Sequence, residues 1–176
     1  MQKKLIIILT LVLTVFLIPV YIFTGKLKKS TDAFQSFLPL KNISLDTDIC
    51  ARFSKDWVAG QINRPVITVK SFDLPSTHSC SYYTTDSDFV ILTYGTDTPE
   101  GQKSNHEGLK QTIKTDSRIS LPHFIAWQPN GLINSIVLIL DPHHYLSADR
   151  SSGSVINNDS LINFASAVSR KLLSQS

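Results

Sequence analysis

The chain has 176 residues, 42% of them hydrophobic and 18% charged, with a formal net charge of +3 at pH 7. The positive charge is local: Lys3, Lys4, Lys26, Lys28 and Lys29 bracket an apolar run near the start, whereas Ser30 to Ser176 carries 12 Lys and Arg against 14 Asp and Glu, a net of −2. This excludes a nucleic-acid partner held by a basic face, because counterion release needs cations on the folded part of the chain.

Residues 5–25 (LIIILTLVLTVFLIPVYIFTG) form 21 consecutive positions without a charged side chain. As a helix such a run spans roughly 30 Å, the hydrocarbon thickness of a bilayer. Its end, Val20 to Gly25, offers bulky residues where a signal peptidase needs small ones. No cysteine follows it closely, so a lipid-modified start is excluded. The reading is an uncleaved single-pass anchor, with Pro19 tolerated because freed backbone groups find local partners in bilayer helices. Lysines on both sides leave orientation to the layout of the chain. Residues 1–4 form a short cytoplasmic tail, residues 26–45 a tether with Pro39, and residues 46–176 a globular domain delivered outside the membrane. The flanking lysines suit anionic lipid headgroups. Asn42-Ile43-Ser44 and Asn158-Asp159-Ser160 are glycosylation sequons, relevant only in a host that modifies them.

The domain opens with an amphipathic helix predicted over residues 46–62, in which Ile49, Phe53 and Trp57 share a stripe. Asp46, Thr47 and Asp48 are cap candidates. Asn63 is at ease in the left-handed conformation of a helix end, and Pro65 forbids continuation. Three strands follow, Val66 to Phe72, His78 to Thr85 and Asp88 to Tyr94, the last two joined as a hairpin. A weak, mostly exposed helix covers Pro99 to about Lys114, with Leu109 and Ile113 as its core candidates. A second strand pair, His123 to Gln128 and Leu132 to Asp141, turns at Pro129-Asn130-Gly131. Leu132 to Leu140 is apolar on both faces and reads as a central strand. Ser147 to Ser154 reads as a loop, and a final helix runs from Asp159 to about Leu173, capped by Asn158 or Asp159, with Leu161, Ala165, Val168 and Leu172 inward. The predicted fold is α+β: an antiparallel sheet of about five strands covered by helices, in the order α-β-β-β-α-β-β-α, preceded by the transmembrane helix.

Cys50 and Cys80 are the only cysteines, and on the oxidising side of a membrane such a pair forms a disulfide. The bridge would staple the first helix onto a face of the sheet. Asp48-Ile49-Cys50, Ile62-Asn63-Arg64-Pro65-Val66, Cys80-Ser81-Tyr82 and the helix from Phe164 to Leu172 together resemble a family of small bacterial cell-envelope lipoproteins of unknown function, familiar from actinobacteria. The resemblance covers most of Asp46 to Leu173 and departs in two places: Asn63 stands where members carry glycine, and the lipid-attachment cysteine is missing. It implies an envelope-facing domain with a disulfide and no catalytic residues.

Chemistry is sparse. Asp141 and His143 could join His123 in a site with two histidines and one carboxylate, although strand geometry sends adjacent His143 and His144 to opposite faces. His78 near Cys80 would suit a thiol enzyme only if Cys80 were free. No nucleophile elbow and no phosphate-cradling loop are present, and no cofactor is implied. Tyr82, Tyr83, Tyr94 and Trp127, with Tyr145, fall on predicted strands, where a face bearing them could bind a glycan or peptide. The functional expectation is an extracytoplasmic accessory for binding, assembly or sensing, contacting the bilayer through residues 5–25 and an envelope protein, peptide or glycan through its domain. The alternative is an extracytoplasmic hydrolase or metal-dependent enzyme built on His123, Asp141 and His143.

Overall fold

The structure, a computed structural model, describes residues 48–85 and 87–175. The predicted tail, anchor and tether lie outside the described residues, as do Asp46 and Thr47. Among the described residues, no helix is long and apolar enough to cross a membrane.

The predicted first helix is two helices, α1 (Ile49–Arg52) and α2 (Lys55–Ile62). Asp48 caps α1, its Oδ1 accepting from the Ala51 amide at 2.8 Å. The helix breaks at Phe53, and the physical reason is a competing donor. In a continuous helix the Phe53 carbonyl would accept the amide four residues on; here it accepts the buried Tyr82 hydroxyl at 2.6 Å. Phe53 leaves the helical region (φ −113°, ψ 76°) and Ser54 restarts the chain in an extended conformation (φ −58°, ψ 153°). Asn63 closes α2 in the left-handed conformation (φ 53°, ψ 43°), as its chemistry predicts.

Among the described residues the sheet has seven strands rather than about five: β1 (Thr68–Leu74), β2 (Thr77–Tyr83), β3 (Phe89–Gly95), β4 (Thr112–Lys114), β5 (His123–Trp127), β6 (Ile133–Asp141) and β7 (His144–Arg150). All pairs are antiparallel, in the order β1-β2-β3-β7-β6-β5-β4. Two strands correct the expected order. β7 occupies the middle of the sheet, although its second half, from Ser147, falls in the loop expected over Ser147 to Ser154. Its Leu146 and Ala148 face the helical layer while Tyr145, Ser147 and Asp149 face away, so the strand is buried on both sides despite its polar residues. β4 lies within the predicted weak helix, which ends early: α3 spans Pro99–Gly108, and Lys110 (φ 58°) turns the chain into the strand. Leu109 is exposed and Ile113 sits on β4.

One face of the sheet is covered by α1, α2 and α4 (Asn158–Leu173). Leu161, Ala165, Val168 and Leu172 of α4 are fully buried, each large side chain contributing about 1.5–3 kcal/mol of transfer free energy. The cap of α4 is Asn157, which accepts from the Ser160 amide at 2.8 Å. Asn158, the expected cap, instead accepts from Ile133 N at 3.0 Å and Arg150 Nη2 at 2.9 Å. The opposite face buries a smaller cluster of Phe124, Val137 and Tyr145. There the Tyr145 ring lies over Gly95, its cross-strand partner, and a Cβ at Gly95 would collide with the ring, so a larger residue there would require Tyr145 to move.

Cys50 and Cys80 form a disulfide with a Cα separation of 5.3 Å across 30 residues of chain. It joins α1 to the face of β2, next to the bond between Tyr82 and Phe53. Two outcomes are expected in equilibrium urea unfolding of the unit Pro39–Ser176. The C50S/C80S double variant loses roughly 3–4 kcal/mol, the loop-closure entropy of a ring this size. Tyr82→Phe leaves the Phe53 carbonyl buried without its donor and loses about 1–3 kcal/mol.

Candidate functional site

The disulfide removes Cys80 as a nucleophile, which ends the thiol-enzyme reading of His78 and Cys80. His123 is structural: its Nδ1 bonds the Leu121 carbonyl at 2.8 Å and its Nε2 accepts from the Asp116 amide at 2.9 Å, so both ring nitrogens are occupied. Asp141 ends β6, and His143 is exposed in the turn that follows. One Asp141 oxygen accepts the His143 amide at 2.7 Å and the other meets the ring of His144, not His143. Among the described residues, no group of three or more His, Cys, Asp or Glu is placed to hold a metal ion.

The aromatic candidates do not share a face. Tyr82, Tyr94 and Trp127 point to the helical layer, and Tyr83 points to the opposite side against Phe89, beneath the Lys70 ammonium. Tyr82 is buried core, and Trp127 packs against the core with Lys114 over its ring.

What the topology does assemble is a file of five side chains across one end of the sheet, one from each of five neighbouring strands. Asp73 of β1 stands opposite His78 of β2, and His78 opposite Tyr94 of β3. His144 of β7 lies two residues along from the strand partner of Tyr94, and Asp141 of β6 stands opposite His144. Nδ1 of His78 donates to Asp73 at 2.9 Å, and Nδ1 of His144 donates to Asp141 at 2.6 Å. The Tyr94 ring stacks between the two imidazoles, with centroids 6.3 Å and 5.6 Å away and interplanar angles of 17° and 7°. Burial, and then the charge of Asp141, raise the Tyr94 phenol above its ordinary range.

Each carboxylate takes the Nδ1 hydrogen of its imidazole, which sets the tautomer and orientation of the ring. The two histidines and the phenol form a stacked, half-exposed polar surface. The Ser79 hydroxyl lies on the other face, bonded to Thr93 at 3.0 Å, whereas Ser71 shares the face of His78 and Asp73. Beside this file, a cleft of about 430 Å³ is lined by Asp48, Ile49, Cys50, Ser71, Asp73 and His78, among others. The sequence carries a signal for the file. Two hairpins each place an aspartate at the end of one strand and a histidine at the start of the next, around Pro75-Ser76 and Pro142-His143.

On the opposite face, Asp149 projects from the central strand with its carboxyl among hydroxyls: Ser147 donates to it at 2.7 Å, and Ser135 bonds it from β6. Burial raises this carboxyl above the ordinary carboxylate range, opposed by the two hydroxyls and by His106 of α3. Because the folded state holds the proton more tightly than the unfolded chain, this group's contribution is full below the unfolded value and is lost as pH rises towards the folded one. Asp149→Asn removes that loss. The stability difference, variant minus parent, is expected to increase upward from about pH 4 in paired urea titrations, and a difference independent of pH would show that the carboxyl titrates normally.

No family model, no curated protein and no solved structure matches the chain.

Proposed function

We propose that this protein is a membrane-anchored domain on the outer side of a cytoplasmic membrane, a non-catalytic cell-envelope accessory for binding, assembly or sensing. The observation that carries the reading is the Cys50–Cys80 bridge, in a chain that begins with 21 apolar residues flanked by lysine. Such bridges form and persist on the oxidising side of a membrane, and the apolar run has the length of a bilayer helix. The resemblance to envelope lipoproteins points the same way. The polar groups that could suggest catalysis support an accessory role instead. His123 is bonded at both nitrogens, and His78 and His144 are oriented by carboxylates on either side of the Tyr94 ring. The file of His78, Tyr94 and His144 is the surface through which the domain meets an envelope protein, peptide or glycan.

The full chain, expressed in a bacterial host, is expected to remain with the membrane after an alkaline carbonate wash. Protease added to intact spheroplasts should digest the domain, and alkylation under denaturing, non-reducing conditions should find no free thiol. Recovery as a water-soluble cytosolic species with both thiols alkylated would overturn the reading.

A further inference from the structure

The two edges of the sheet are built differently. Among the described residues, β4, at one edge, has only three residues and so offers little backbone for pairing. β1, at the other, has seven residues paired to β2 without a register shift, and it contains neither proline nor glycine. Six of its seven residues are exposed, among them Phe72 at 62% and Leu74 at 48%. An edge of this length, with Phe72 and Leu74 exposed and Lys70 and Asp73 as its charged residues, is a template for a further strand whose charges complement it.

The sequence of the strand, Thr68-Val69-Lys70-Ser71-Phe72-Asp73-Leu74, indicates which strand. Directly opposed residues of an antiparallel pair lie on the same face, so two copies of β1 can pair only in registers that keep each face continuous. The register centred on Ser71, the midpoint of the strand, does this and engages all seven residues. It sets Thr68 opposite Leu74, Val69 opposite Asp73, and Lys70 opposite Phe72 in both halves. Lys70 and Phe72 share the face away from α1, α2 and α4, so each ammonium meets the partner's ring, a favourable cation–π pairing. No like charges are directly opposed. Registers centred on Lys70 or Asp73 would confront lysine with lysine or aspartate with aspartate and would leave part of the strand unpaired.

We propose that the β1 edge is a self-association surface, on which a second copy of this chain pairs antiparallel about a two-fold axis at Ser71 and continues the sheet from one molecule into the next. The contact is isologous and closed, because it consumes the β1 edge of each copy, the other sheet edge among the described residues being the three-residue β4. This inference goes beyond the accessory role above and does not depend on which envelope component is bound.

The test uses the full chain in its host membrane and single introduced cysteines, since both natural cysteines are engaged with each other. Ser71→Cys is expected to give a covalent dimer on mild oxidation, with peptide mapping showing a bridge between the two copies of residue 71 and an intact Cys50–Cys80 bridge, since residue 71 stands opposite Cys80. Thr68→Cys alone should not, because the two copies of residue 68 would lie roughly 20 Å apart at the strand rise. Thr68→Cys co-expressed with Leu74→Cys should cross-link between chains. Thr112→Cys, on the blunted edge, reports random collision and should stay monomeric. Phe72→Lys, which sets lysine against lysine, should reduce the Ser71→Cys cross-link at least tenfold while the Cys50–Cys80 bridge still forms. Equal cross-linking at residues 68, 71 and 112, a dimer that survives Phe72→Lys, no dimer at Ser71→Cys, or cross-linking of Ser71→Cys to a different protein would each overturn the proposal.

Discussion

The fold depends on the attachment of α1 to the face of β2. Two bonds of different kinds make it: the covalent bridge from Cys50 to Cys80, and the hydrogen bond from the Tyr82 hydroxyl to the Phe53 carbonyl, two residues further along the same strand face. The tyrosine takes the carbonyl that would otherwise carry the helix onward. The break lets α1 follow β2 while α2 turns to pack on α4, and Phe53 and Phe164 fill the space between helices and sheet with Trp57 against both. Without this attachment the sheet face would lose part of its cover, and the buried hydroxyl and carbonyl would both lose their partner.

The same geometry sets the candidate surface. The helical layer protects most of one face of the sheet, and at the end carrying the turns after β1 and β6 the file of Asp73, His78, Tyr94, His144 and Asp141 remains within reach of solvent. Exposed Asp–His pairs add little stability, since solvent screens them. Their effect is orientation. Carboxylates at both ends hold two imidazoles nearly parallel to the phenol between them. On the opposite face, Asp149 shows the converse arrangement: a carboxylate drawn into the sheet, compensated by Ser135 and Ser147. Its burial follows from the central place of β7, which no local feature of that strand announces.

Residues near one another in sequence carried their structure in their own chemistry. The amphipathic stripe of α4, the left-handed Asn63, the Pro129-Asn130-Gly131 turn and the apolar run of β6 depend on backbone preference and periodicity, and they stand where those preferences put them. The cysteine pair was legible in the same way, as two thiols with no other partner in the chain. Tertiary structure alone decided the rest. Tyr82 broke the first helix because a hydroxyl 29 residues away outcompeted an amide four residues away. β7 became the central strand because β3 and β6 flank it on both sides, overriding a polar sequence. The Asp–His–Tyr–His–Asp file exists because five strands, ordered by the topology rather than by the chain, bring their ends together. Sequence fixes what each residue prefers within a turn or two of itself; only the packed sheet determines which distant groups compete for the same hydrogen bond or share the same edge.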